Sequence, residues 1–98
     1  MADLKLTLAT GPYDRMRALG TGDVKVEGVE LTHVAIVEPP EIFTRMARDH
    51  EFDLAEMSLG YYLPARAAGT CPYMAIPVFP SRVFRHGNIF INRRAGIE

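Results

Sequence analysis

Leu4-Lys5-Leu6-Thr7-Leu8-Ala9 alternates apolar and polar side chains, the period-two pattern of a half-buried strand, and predicts a strand over residues 4–9 that turns at Thr10-Gly11-Pro12. Pro12 suits the first turn of a helix, which Tyr13 to Leu19 continue as far as Gly20. Gly20, Gly22 and Gly28 punctuate a loop, after which residues 30–36 read as a second strand, ended by Pro39-Pro40. Apolar residues at 42, 43, 46 and 47 then mark one face of a helix over residues 41–48. Its acidic residues Glu38 and Glu41 come early and Arg45 and Arg48 late, the order the helix dipole favours.

Residues 53–57 predict a short third strand. Ser58 is a candidate cap for a helix over residues 59–68 that stops at Gly69, with Pro64 expected to kink or shorten it. Residues 73–79 predict a fourth strand, edge-like because of Pro77, and residues 87–92 a fifth. The alternation predicts an α/β domain with a mostly parallel sheet flanked by short helices. Three short helices cover five strands thinly. We therefore expect residues 1–98 to be a single α/β lobe of a larger, two-lobe protein.

Composition narrows the function. Forty-eight per cent hydrophobic and 23% charged residues describe an ordinary globular chain, and a net charge of −1 gives no footprint for nucleic acid. One cysteine, Cys71, excludes a disulfide framework, and three scattered histidines have no metal-ligand spacing. No apolar run reaches the length of a membrane span, and the first residues lack a secretory pattern, so the expected location is cytoplasmic. The charge is nevertheless polarised. Residues 1–78 hold seven Lys/Arg against eleven Asp/Glu, whereas residues 79–98 hold four Arg (82, 85, 93, 94) against one Glu. That basic end is either a solvated surface or an anion site.

In open α/β sheets ligands bind beyond the carboxyl ends of the strands. The residues following each predicted strand are Thr10, Tyr13, Asp14 and Arg15; then Glu56, Met57 and Ser58; then Ser81, Arg82, Arg85 and His86. A carboxylate such as Glu56 ending an apolar strand is unusual, and so are two Arg and a His flanked by Phe. Asp14 also reads as a plain first-turn residue and Ser58 as a plain cap. His33, alternating within a strand, and His50, at a helix end, read as structural. Gly20-Thr21-Gly22 lacks the rest of a phosphate-binding fingerprint.

Gly11-Pro12-Tyr13-Asp14-Arg15, Pro40-Glu41-Ile42-Phe43 with Arg45-Met46, Phe52-Asp53-Leu54-Ala55-Glu56-Met57-Ser58, and Ala75-Ile76-Pro77-Val78-Phe79-Pro80-Ser81-Arg82 through Arg85-His86 resemble the 4,5-dihydroxyphthalate decarboxylase family. That family is similar in fold to type II periplasmic solute-binding proteins. The resemblance implies a first lobe, a second α/β lobe absent from this sequence, and a ligand cleft between them. It implies non-oxidative decarboxylation of a dihydroxylated aromatic dicarboxylate to a catechol monocarboxylate. Such a site needs a base near a phenol, a proton donor near the ring and a cation for the spared carboxylate. Glu56 or Asp14 is then the candidate base, His86 the donor, Arg82 or Arg85 the clamp, and Ser81, Ser58, Tyr13 and Thr10 further substrate contacts. No redox or carbonyl cofactor is expected, because the substrate's hydroxyl is the electron sink, and no metal. The expected partners are a small aromatic carboxylate and either the second lobe or a second copy. The alternatives are a solute-binding protein that holds a small carboxylate without chemistry, and an inactive truncated lobe.

Overall fold

The computed structural model describes residues 2–97. Three strands form one parallel sheet: β1 (Leu4–Thr10) at the centre, β2 (Val29–Ala35) on one side and β3 (Leu54–Ala55) on the other. Helices α1 (Asp14–Thr21), α2 (Pro39–Asp49) and α3 (Leu59–Ala67) follow the strands in turn. The α/β class and parallel sheet are as the alternation predicts.

Register separates two faces. Leu8 pairs with His33 on one side and Leu54 on the other, and Ala9 pairs with Val34 and Ala55. Successive strand residues point to opposite faces. One face therefore carries Ala9, Val34 and Ala55, and here Ile36, Ile42, Met46 and Phe52 complete the core. Ile42 and Met46 stand four apart on α2, so one helical stripe covers the sheet. The other face carries Leu8, Thr10 and His33, with α1 packed beside β2.

Pro39 and Pro40, expected to end a strand, form the first turn of α2, where a missing N–H breaks no helical bond. The helix closes at His50, whose N–H bonds to the Met46 carbonyl from a left-handed backbone (φ 49°). The Tyr73 hydroxyl donates to the same carbonyl at 2.8 Å, tying the chain after α3 back to α2. Pro64 lies inside α3, a helix of nine residues that buries none of its side chains.

Two expected strands do not form among the described residues. Residues 73–79 and 87–92 pair with nothing, and the basic end instead holds two short 3₁₀ turns, His86–Asn88 and Arg93–Ala95. A strand exists only against a partner that takes its backbone groups. The edge on that side is β3, two residues long, while Pro72, Pro77 and Pro80 each remove a donor. The segment is exposed and apolar: Met74, Phe79, Phe84 and Phe90 are 86%, 78%, 92% and 88% accessible. Its extension gives a radius of gyration of 17.1 Å, against about 13 Å for a compact chain of this length. No helix among the described residues is long and apolar enough to cross a membrane.

Candidate functional site

The strand order β2-β1-β3 creates a switch point. From β1 the chain passes through α1 to β2 on one side, and from β2 it returns through α2 to β3 on the other. The loops leaving β1 and β3 are therefore neighbours that diverge, the place where open α/β sheets bind their ligands. Gly11, Tyr13 and Glu56 meet there.

Glu56 follows β3 directly, and its N–H bonds to the Ala9 carbonyl, which holds it beside the end of β1. One carboxylate oxygen accepts the Gly11 N–H at 2.8 Å, and the Tyr13 hydroxyl lies 3.1 Å from both oxygens. Gly11 makes this fold-back possible. A Cβ at that position would stand 2.7 Å from the Tyr13 ring and 2.9 Å from its hydroxyl, so only glycine lets the phenol lie over its own loop. Burial, first, and then the Glu56 charge hold the Tyr13 phenol pKa above its usual 10.0, while the Ser81 hydroxyl and the Arg15 cation pull the other way.

On the α1 face a second chain of bonds reaches the same loop. Thr10 is fully buried; its hydroxyl donates to the Gly11 carbonyl at 2.8 Å and lies 2.8 Å from His33 Nε2. The loop is thus gripped from β2 through His33 and Thr10, and from β3 through Glu56. Beside it, between α1 and β2, runs a groove of about 370 Å³ lined by Pro12, Tyr13, Asp14, Arg17, Gly20, Thr21, His33 and Ala35. Another hollow, of about 240 Å³, contains Asp3, Val26, Glu30 and Leu31 and lies toward the opposite, amino end of the strands.

The predicted residues fall into two groups. Thr10, Tyr13, Glu56 and Ser81 gather at the switch point, and Asp14, the first residue of α1, lines the groove. Ser58 precedes α3 and accepts the Tyr61 and Tyr62 N–H groups through its carbonyl, but its hydroxyl makes no capping bond. Arg82, Arg85 and His86 lie along the exposed segment. Among the described residues no hydrogen bond or ion pair joins their side chains to the Tyr13–Glu56 group, and the His86 ring stacks on Phe84 at 5.8 Å. The near end of that segment is tied down: Arg15 donates to the Pro80 carbonyl at 2.6 Å while its guanidinium lies 5.4 Å from the centre of the Tyr13 ring. The sequence places Gly11 and Arg15 after the first strand without giving them a role, and His33 reads there as structural. His33 alternates like any strand residue, and only register brings it diagonal to Thr10. Among the described residues no three His, Cys, Asp or Glu side chains are grouped to hold a metal ion.

The chain is 46% identical over all 98 residues to 4,5-dihydroxyphthalate decarboxylases of Comamonas testosteroni and Pseudomonas putida. Its resemblance is to these decarboxylases. The chain spans 29% of the length of the Comamonas protein and 38% of the Pseudomonas one. No family model matches it. The decarboxylase resemblance covers every residue of the switch-point group, from Thr10 to Ser81.

Proposed function

We propose that this chain supplies the switch-point side of an active site for the non-oxidative decarboxylation of a dihydroxylated aromatic dicarboxylate, of the 4,5-dihydroxyphthalate kind. The single observation that carries the reading is the Tyr13–Glu56 pair at the switch point between β1 and β3, in a chain 46% identical to named decarboxylases.

The chemistry follows from the substrate. Each carboxylate is para to a ring hydroxyl, so loss of the hydroxyl proton pushes an electron pair onto the carbon bearing that carboxylate. An acid protonates this carbon. The carbon–carbon bond then breaks, its pair returns to the ring, and carbon dioxide leaves. The site must supply a base, an acid and a cation. Tyr13 suits the acid, since burial and Glu56 keep its proton in place until a stronger base faces it. Glu56, with its oxygens occupied by Gly11 and Tyr13, holds that acid in position. Arg82 or Arg85 clamps the spared carboxylate, as a planar fork does well, on the segment anchored by Arg15 and Pro80. Ser81 stands beside the Tyr13 phenol, whereas the Thr10 hydroxyl is buried against Gly11 and His33. His86 is the rival acid, and Asp14, which lines the groove, is a candidate base.

The test is carbon dioxide release from 4,5-dihydroxyphthalate, with binding measured on the same preparation of the protein that carries this chain. Tyr13→Phe should lower turnover roughly 10²–10⁴-fold with binding retained. If His86→Gln has that effect and Tyr13→Phe does not, the acid is His86. Binding without carbon dioxide release in the unaltered protein overturns the enzyme reading and leaves a solute-binding protein.

A further inference from the structure

We propose that His33 is the base of this site: its Nδ1 accepts the proton of a ring hydroxyl held in the groove between α1 and β2. The inference rests on the decarboxylase reading and adds to it a residue and a subsite. Thr10 has one hydroxyl hydrogen, and it is donated to the Gly11 carbonyl. Toward His33 the Thr10 oxygen is therefore an acceptor, and the 2.8 Å contact requires the hydrogen on Nε2. Neutral His33 then carries its lone pair on Nδ1. Among the described residues that nitrogen has no hydrogen-bond partner, and His33 lines the groove.

The same bond suits both protonation states. Nε2 is a donor in the neutral ring and remains one in the imidazolium, so taking a proton at Nδ1 breaks nothing behind it. Gly20 lets the Nδ1 edge of the ring lie close against α1. A Cβ at position 20 would stand 2.8 Å from Nδ1, closer than side chains tolerate, so any other residue would press on the ring. The groove, about 370 Å³, is at the small end of ligand pockets and suits one substituted ring. Tyr13 borders both the groove and the Glu56 cluster, so base and acid stand on two sides of one loop.

The step balances. The substrate O–H bond breaks and an N–H bond forms at Nδ1; the phenoxide pair drives protonation of the para carbon by the acid. Carbon dioxide leaves, the electron pair returns to the oxygen, and His33 gives its proton back. One proton is consumed overall, through the acid.

Three measurements on the protein that carries this chain test the proposal. Long-range ¹⁵N–¹H spectra should give His33 the Nε2–H form, with Nδ1 unprotonated and shifting when 4,5-dihydroxyphthalate is added. His33→Gln should lower carbon dioxide release roughly 10²–10⁴-fold while changing affinity by no more than about tenfold, the loss of one hydrogen bond. Gly20→Ala should lower turnover, because its Cβ must push the His33 ring out of place, and circular dichroism checks that the variant is folded. An Nδ1–H tautomer, or undiminished turnover in either variant, overturns the assignment. If the unaltered protein binds the diacid without releasing carbon dioxide, the decarboxylase reading fails, and with it the base role. A substrate-induced shift at His33 Nδ1 would then still locate the hydroxyl subsite, whereas no shift would remove that too.

Discussion

The Tyr13 hydroxyl lies 3.1 Å from each oxygen of Glu56, and the same carboxylate accepts the Gly11 N–H, so one side chain from the end of β3 fixes both the loop after β1 and the phenol carried on it. Burial is the first cause of the raised Tyr13 pKa, and Glu56 adds to it through its charge and its hydrogen bond. Glu56→Gln removes the charge and leaves the shape. The Tyr13 midpoint should fall part of the way back toward its usual value, because burial remains. Titration of the Tyr13 ring carbon by NMR checks this, and an unmoved or higher midpoint would mean that Glu56 does not govern the phenol.

Arg15 should act with the opposite sign. Its charge lowers the Tyr13 pKa, and its bond to Pro80 keeps Ser81, which also lowers it, beside the phenol. Arg15→Met should therefore raise the Tyr13 midpoint above that of the unaltered protein in the same titration. It should also weaken binding of 4,5-dihydroxyphthalate, since the segment bearing Arg82 loses its anchor. A midpoint that falls would break the link between Arg15, Ser81 and Tyr13.

Gly11→Ala tests the close approach. Its Cβ would overlap the Tyr13 ring, so the phenol must leave Glu56. We expect a stability loss of about 1–3 kcal/mol, the usual cost of overpacking, and a loss of turnover at least as large as that of Tyr13→Phe. Urea unfolding and carbon dioxide release measure the two effects. A variant with full turnover would show that the phenol works from elsewhere.

Asp53 gives a stability prediction in the acid range. One of its carboxylate oxygens accepts the Thr7 N–H at 2.8 Å and the Thr7 hydroxyl at 3.0 Å, which hold its pKa below the ordinary 3.8. A carboxyl depressed in the folded state stabilises the fold above its unfolded pKa, and that contribution disappears as pH falls through the folded value. Asp53→Asn should thus lower the urea midpoint at pH 6 and matter progressively less as pH falls below 3.8. Equal losses at pH 6 and in strong acid would mean that the charged form has no special place beside Thr7.

Much of this was readable in the residues. The alternation over residues 4–9 found the central strand, the stripe at 42, 43, 46 and 47 found α2, and a carboxylate after an apolar strand singled out Glu56. Residues 73–79 and 87–92 misled because an apolar run states a wish to be covered without naming the cover, and β3 is too short an edge to provide a ladder. His33 stayed hidden because its meaning depends on pairing: only the alignment of Leu8 with His33 places it diagonal to Thr10. Gly11 and Gly20 looked like loop punctuation, whereas each leaves room for a ring that the sequence places 2 and 13 residues away.

Ala9 and Thr10 are neighbours in β1, one facing α2 and the other facing α1. Because their directions alternate, adjacent letters of the sequence answer to different demands: packing against α2 at one, a bond to His33 at the next. Substitutions on the Thr10 and His33 side alter the grip on the Gly11 loop while the Ala9, Ile42 and Met46 side keeps the core. An insertion or deletion of one residue inside β1 has no such freedom, since it would exchange the side that faces α2 with the side that faces α1.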